Sequence, residues 1–124
     1  MGDDGWDEEL VPDAAGRTAR PEASCPVEVA LAAVRGRWTT LLLRDLLHGP
    51  RSYGAIRAAL PTLSDKVLVD RLRELQDRGL VRRSRHRGFP ARTTYDLAPA
   101  GLALRPLLVQ LYETGRALQR LQDS

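Results

Sequence analysis

The hydrophobic repeat of this chain changes once, near Leu80, and that change limits the architectures open to it. Up to Arg78, apolar residues recur three or four positions apart, the period of a helix face. Beyond Leu80, the segments VRRSRH and RTTYDL flank Gly88-Phe89-Pro90 as two strands flank a hairpin turn. Pro26, a favoured first helical residue, opens a helix expected over 26–34, and its stripe Val27, Leu31, Val34 extends to Trp38. After Gly36, the stretch WTTLLLRDLLHGP turns Leu42, Leu43, Leu46 and Leu47 inward and stops at Gly49-Pro50. Ser52 caps a short third helix with Tyr53, Ile56 and Leu60 inward, and Pro61 ends it. Ser64 caps a fourth, to about Arg78, with Leu68, Leu72 and Leu75 buried and Gly79 as its stop. From Pro99 one long helix is expected to run to the C-terminus.

Helix, turn, helix and then a basic hairpin is the element order of a winged helix-turn-helix, a mainly α (α+β) fold. In that fold one helix enters the major groove and the hairpin, the wing, touches backbone or minor groove. With Leu68, Leu72 and Leu75 inward, steps of about 100° per residue turn Lys66, Asp70, Arg73 and Asp77 outward, with Val69 beside them. Lys66, Val69, Asp70 and Arg73 are therefore the expected groove-facing residues, unless this is only a solvated face. Ser64, at the helix start, can offer its hydroxyl or backbone N–H to a phosphate. The hairpin carries Arg82, Arg83, Arg85, His86, Arg87 and Arg92. Strand alternation aims about half of them at DNA, and Arg85, Arg87 and Arg92 are the expected contacts.

Charge supports a polyanionic partner. The chain of 124 residues has 19 Lys and Arg against 16 Asp and Glu, a net of +3. Residues 1–22 hold seven acids and two arginines, 2 − 7 = −5, which leaves 3 + 5 = +8 for the rest. An acidic, flexible tail over 1–22 and a folded domain over 23–124 are expected. Trp6 in that tail is at best a stray anchor. Every basic residue but Lys66 is arginine, which suits bidentate contacts to phosphate and guanine and equally suits a high-GC codon usage. No apolar run approaches the roughly 20 residues that span a bilayer, and the acidic start MGDDGWDEEL is unlike a secretion signal, so a cytoplasmic location is expected.

The stretch CPVEVALAAVRGRWTTLLLRDLLHGPRSYGAIRAALPTLSDKVLVDRLRELQDRGLV, continued by PARTTYDLAPAG, resembles HxlR-type regulators from about Cys25 to Gln119. Its markers are Cys25-Pro26-Val27, Gly36-Arg37-Trp38-Thr39, the Ser64/Lys66/Leu68 pattern, and Tyr95 and Leu97 before Pro99 and Gly101. The resemblance implies a transcription regulator, more often a repressor. It also implies a homodimer built by the first and last helices that reads an inverted repeat in double-stranded DNA. Val69-Asp70 stands where the family often has Thr-Gln, and Arg87-Gly88-Phe89-Pro90-Ala91 departs from its usual wing, so no operator sequence carries over. The expected dimer residues are Val27 and Leu31 of the first helix, with Leu104, Leu107, Leu108, Leu111 and Leu118 of the last. Leu121 and Tyr112 widen that apolar surface beyond what a terminal helix needs, and Gly115 permits close helix approach.

Cys25 has two readings. It precedes Pro26 at a helix start, where the dipole favours an anion while Glu28 opposes it, and the resemblance implies that a cysteine here can sense electrophiles or oxidants. It can equally be a small packed residue at the dimer interface. With no second cysteine, any disulfide must cross subunits or use a small thiol. His48, His86 and Cys25 lack ligand spacing, and neither a nucleophile set nor a phosphate loop is present, so neither metal, cofactor nor catalytic residue is expected. Trp38 and Tyr53 are expected in the core, with a ligand pocket beside them as the family alternative. The rival functions are a winged-helix protein-interaction module and a small enzyme or metal sensor.

Overall fold

The computed structural model describes residue 5 and residues 7–124, so Trp6 lies outside the described residues. The chain divides into two compact units, the first ending at Arg35 and the second running from Gly36 to Ser124. The sequence reading places its boundary earlier, at residue 22, because composition marks the end of the acidic tail. Chain contacts instead group the first long helix with the segment before it.

In the first unit a 3-10 turn at Ala14–Gly16 is capped by Asp13, whose Oδ1 accepts from the Ala15 N–H at 3.0 Å. Helix α1, Pro26–Val34, follows with Pro26 in its first turn and Cys25 as N-cap. Its carbonyl-accepting first bond runs from the Val29 N–H to the Cys25 oxygen, 2.9 Å. Val27, Val29 and Leu31 are exposed.

The second unit begins on two left-handed residues, Gly36 (φ 112°) and Trp38 (φ 77°), which turn the chain into α2, Thr39–Leu46. Trp38 caps this helix instead of extending the stripe of α1. Both it and Tyr53 are half-buried, so neither fills the core as expected. Arg37 lies over the Trp38 ring, 5.9 Å from its centre, a cation–π contact. Helix α2 buries Thr39, Leu42, Leu43 and Leu46, while Leu47 falls past its end and stays half-buried.

Strand β1, Arg51–Ser52, was not expected. Helices α3 (Tyr53–Ala59) and α4 (Asp65–Asp77) then form the helix-turn-helix. Both caps read from the sequence are in place: Ser52 Oγ accepts from the Ala55 N–H at 3.0 Å, and Ser64 Oγ from the Val67 N–H at 3.2 Å. Ile56, Leu68, Leu72 and Leu75 are fully buried, and Leu63 in the connecting turn joins them, whereas Leu60 is only half-buried. Gly79, at φ 74°, ends α4 in the left-handed conformation that glycine adopts without strain.

Strands β2 (Val81–His86) and β3 (Arg92–Leu97) form the hairpin, and the antiparallel sheet has the order β1-β3-β2. The register pairs Val81 with Leu97, Arg83 with Tyr95 and Arg85 with Thr93. Because Val81, Tyr95 and Leu97 are buried, these pairs define the inner face, and Arg82, Ser84, His86 and Arg92 stand on the outer one.

The single C-terminal helix is corrected to two, α5 (Pro99–Leu102) and α6 (Arg105–Gln122). Pro106 has no N–H to donate, so it fits only a first turn, and the helix restarts around it. Leu104 and Leu108, assigned to the dimer surface from sequence, are buried in the chain's own core. Leu107 is half-buried, and Leu111, Tyr112, Leu118 and Leu121 are exposed. Among the described residues no helix is long and apolar enough to cross a membrane.

Candidate nucleic-acid interface

Helix α4 is anchored at its start and at its middle. At its start, Asp65 Oδ1 accepts from Arg57 Nε at 2.7 Å and from the Tyr53 hydroxyl at 3.1 Å, which ties α4 to α3. Partial burial first, and then the bond to Asp65, push the Tyr53 phenol above its ordinary value, so it remains a donor at neutral pH. Midway, Arg71 donates from Nε to the Arg37 carbonyl at 2.9 Å and from Nη1 to Glu74 at 2.9 Å. A helix held this way can present its outer side chains without its own reorganisation.

On the outer face Lys66, Val69 and Arg73 are exposed. Asp70 is half-exposed and accepts from Lys66 Nζ at 2.8 Å, one helical turn back. That hydrogen bond, with the charges of Lys66, Arg73 and Arg71 behind it, holds the Asp70 carboxyl below the ordinary aspartate range. The pair is thus intact at neutral pH and is lost only as pH falls through that lowered value. Being exposed it contributes little to stability. Its consequence is local, since Lys66 and Asp70 mask each other's charge on this face. The hydroxyl oxygen of Ser64 is engaged in the helix cap.

The structure adds a residue that the sequence reading passed over. A groove of about 440 Å³ runs between α4 and the sheet, lined by Val69, Arg73 and Gln76 on one side and Arg83, Thr93 and Tyr95 on the other, with Tyr53 at its end. Arg83 and Arg85 both stand on the inner face of the hairpin, towards this groove. Arg92, expected as a wing contact, stands on the outer face with Arg82 and His86. Arg82 is held by Asp96 at 2.9 Å, and His86 Nε2 lies 2.8 Å from Thr94 Oγ1. Among the described residues Arg83, Arg85, Arg87 and Arg92 make no ion pair. Phe89 stands fully exposed at the hairpin tip between Arg87 and Arg92. The signal for Arg83 was present in the sequence: buried Val81 two residues earlier sets its face.

A family model described as HxlR-like helix-turn-helix matches residues 33–123. This chain belongs to the HxlR-like helix-turn-helix family. Among its curated relatives, the HTH-type transcriptional regulator YvaP of Bacillus subtilis is 40% identical over 88 residues, covering 70% of this chain and 82% of YvaP. Among solved structures, the redox regulator HypR in its reduced form aligns with a TM-score of 0.72 at 28% identity, over 79% of this chain and 97% of HypR. Diamide-treated YodB from B. subtilis aligns with a TM-score of 0.65 at 30% identity, over 72% and 89%. The chain is accordingly a helix-turn-helix transcriptional regulator and not an enzyme, and membership in the HxlR-like family implies that it binds DNA. The resemblance in the sequence is borne out, as is the winged helix-turn-helix fold.

Proposed function

We propose that this HxlR-like regulator is a sequence-specific repressor that binds an inverted repeat as a homodimer. The observation that carries the reading is the groove between α4 and the hairpin, where Arg73 faces one wall and Arg83 the other. Arg85 and Arg87 continue the unpaired positive charge towards the tip. Ser64, Lys66, Val69, Asp70 and Arg73 form the recognition surface of α4, and Arg83, Arg85 and Arg87 line the near side of the wing. Arg92 serves phosphates reached from the outer face. A protein-interaction module would need no such alignment of guanidiniums across one groove. Selection of bound fragments from genomic DNA at fixed salt tests the reading. Specific sites should be preferred at least about a thousandfold over random sequence, and no preference would overturn it.

The dimer rests on apolar residues left uncovered. On α1 these are Val27, Val29 and Leu31, and on α6 Leu111, Leu118 and Leu121. At Gly115 an added Cβ would meet open space, so a partner helix can approach closely there. Sedimentation at micromolar concentration should give twice the chain mass, and Leu111→Glu with Leu118→Glu should shift it to monomer. A monomeric wild type would remove both the dimer and the inverted repeat.

An oxidant response at Cys25 is the finer part of the proposal, supported by the redox relatives HypR and YodB. The thiol is buried, which slows attack on it. With diamide, two thiols lose two electrons and two protons to the azo bond, which becomes a hydrazine, and one disulfide forms. The second thiol must come from the partner subunit or a small thiol. Diamide should lower the DNA affinity of the wild type, and Cys25→Ser should abolish the response with basal binding kept. Equal responses of the two proteins would exclude Cys25.

A further inference from the structure

A second groove, of about 370 Å³, lies between the end of α2 and the first half of α6. Its inner surface is apolar: Leu108, buried in the core, with Leu47, Val109 and the Tyr112 ring around it. Arg44 reaches it from α2 and Arg105 from α6, and neither makes an ion pair among the described residues. The neighbouring carboxylate that could have neutralised Arg44, Asp45, is turned to Arg51 at 3.2 Å instead. Glu113 is the one acid in the lining and accepts from Gln110 at 3.3 Å, so two guanidiniums face one carboxylate, 2 − 1 = +1. The His48 imidazole completes the polar side, with Nδ1 3.2 Å from the Asp45 carbonyl.

We propose that this groove is an effector site for a small amphipathic carboxylate, an aryl or alkyl acid whose apolar body lies on Leu108 and Val109. Its carboxylate bridges Arg44 and Arg105. The volume is at the lower end of small-ligand clefts, which excludes anything much larger than a single ring with a short chain. Paired guanidiniums bind a carboxylate through directed, charge-assisted hydrogen bonds, whereas an apolar wall alone would not select an acid. The same groove is not the dimer surface proposed above. At about 100° per residue, Arg105, Val109 and Tyr112 lie roughly 160° around α6 from Leu111, Leu118 and Leu121. A ligand joining α2 to α6 would set the angle of α6 against the helix-turn-helix. Only that regulatory consequence rests on the regulator reading; binding itself does not.

The test uses the full chain without DNA, so failure of sequence preference cannot imitate failure here. In a heteronuclear NMR titration, 4-phenylbutyrate should bind with a dissociation constant on the order of 10–100 µM. Shifts should centre on Leu47, His48, Leu108, Val109 and Tyr112. The neutral analogue 4-phenylbutan-1-ol should bind at least about tenfold more weakly, and Arg44→Ala with Arg105→Ala should cost the acid a similar factor. Both arginines are exposed, so the variant should melt like the wild type. Equal binding of acid and alcohol, shifts centred elsewhere, or full affinity in the double variant would each overturn the proposal.

Discussion

Gly101→Ala is expected to destabilise the protein by about 3 kcal/mol, a large effect for one methyl group in a helix former. Gly101 is buried in α5, where that short helix crosses the base of the hairpin. A Cβ there would collide with the Leu80 carbonyl oxygen and meet Leu97 side-chain atoms at 3.0 and 3.2 Å. The Leu80 carbonyl cannot turn away, because it accepts from the Ala98 N–H at 2.9 Å at the join of β3 and α5. Relief therefore requires α5 to lift off the sheet, and Leu104 and Leu108 follow in the chain directly behind it. Helix propensity favours alanine by about 1 kcal/mol, which is too little to offset a backbone collision. The melting midpoint should fall by roughly 10 °C or more in a calorimetric scan. An unchanged midpoint would mean that α5 does not seat Gly101 against the Leu80 carbonyl.

What was legible in the sequence followed local rules. The stripe Leu68, Leu72 and Leu75, the caps at Ser52 and Ser64 and the change of period at Leu80 each act within a few residues, and the elements they predict are all present. Strand β1 was not legible because two residues have no period, and Arg51–Ser52 is a strand only through its pairing with Tyr95 and Thr94. The break before α6 had a signal in Pro106 that the unbroken leucine repeat overrode. Leucine periodicity likewise says that a residue is apolar without saying what covers it, which is why Leu104 and Leu108 were assigned to a partner and are found in the core. At the candidate site the outward positions of α4 were readable from helical phase, whereas the Lys66–Asp70 pair is seen only in the structure. The wing was harder. Counting its arginines gives the charge, but only the register, anchored by Val81 opposite Leu97, separates Arg83 and Arg85 from Arg92.

Alanine at Arg73 and alanine at Arg85 with Arg87 are expected to weaken DNA binding in different ways, because base-edge contacts set preference whereas backbone contacts set affinity for any sequence. Arg73 stands on the exposed face of α4 and can reach a guanine edge, so its loss should reduce preference for the operator over random DNA by about 1–3 kcal/mol, roughly 5- to 150-fold. Arg85 and Arg87 lie along the hairpin towards its tip, unpaired and exposed, where phosphates are the reachable partners. Their joint loss should weaken operator and random DNA alike and lower the salt slope by up to about 0.9 per phosphate contact, about 1.8 in all. Asp70→Asn separates the two effects within α4. It removes a carboxylate that repels phosphate and releases Lys66 from the 2.8 Å pair, so affinity for random DNA should rise while preference narrows. Titrations of the three variants against both DNAs at several salt concentrations read all of this in one set of curves. A wing variant with unchanged random-DNA affinity and salt slope would take Arg85 and Arg87 off the backbone. An Arg73→Ala protein that keeps full preference would move base reading to the other side of the groove, to Arg83.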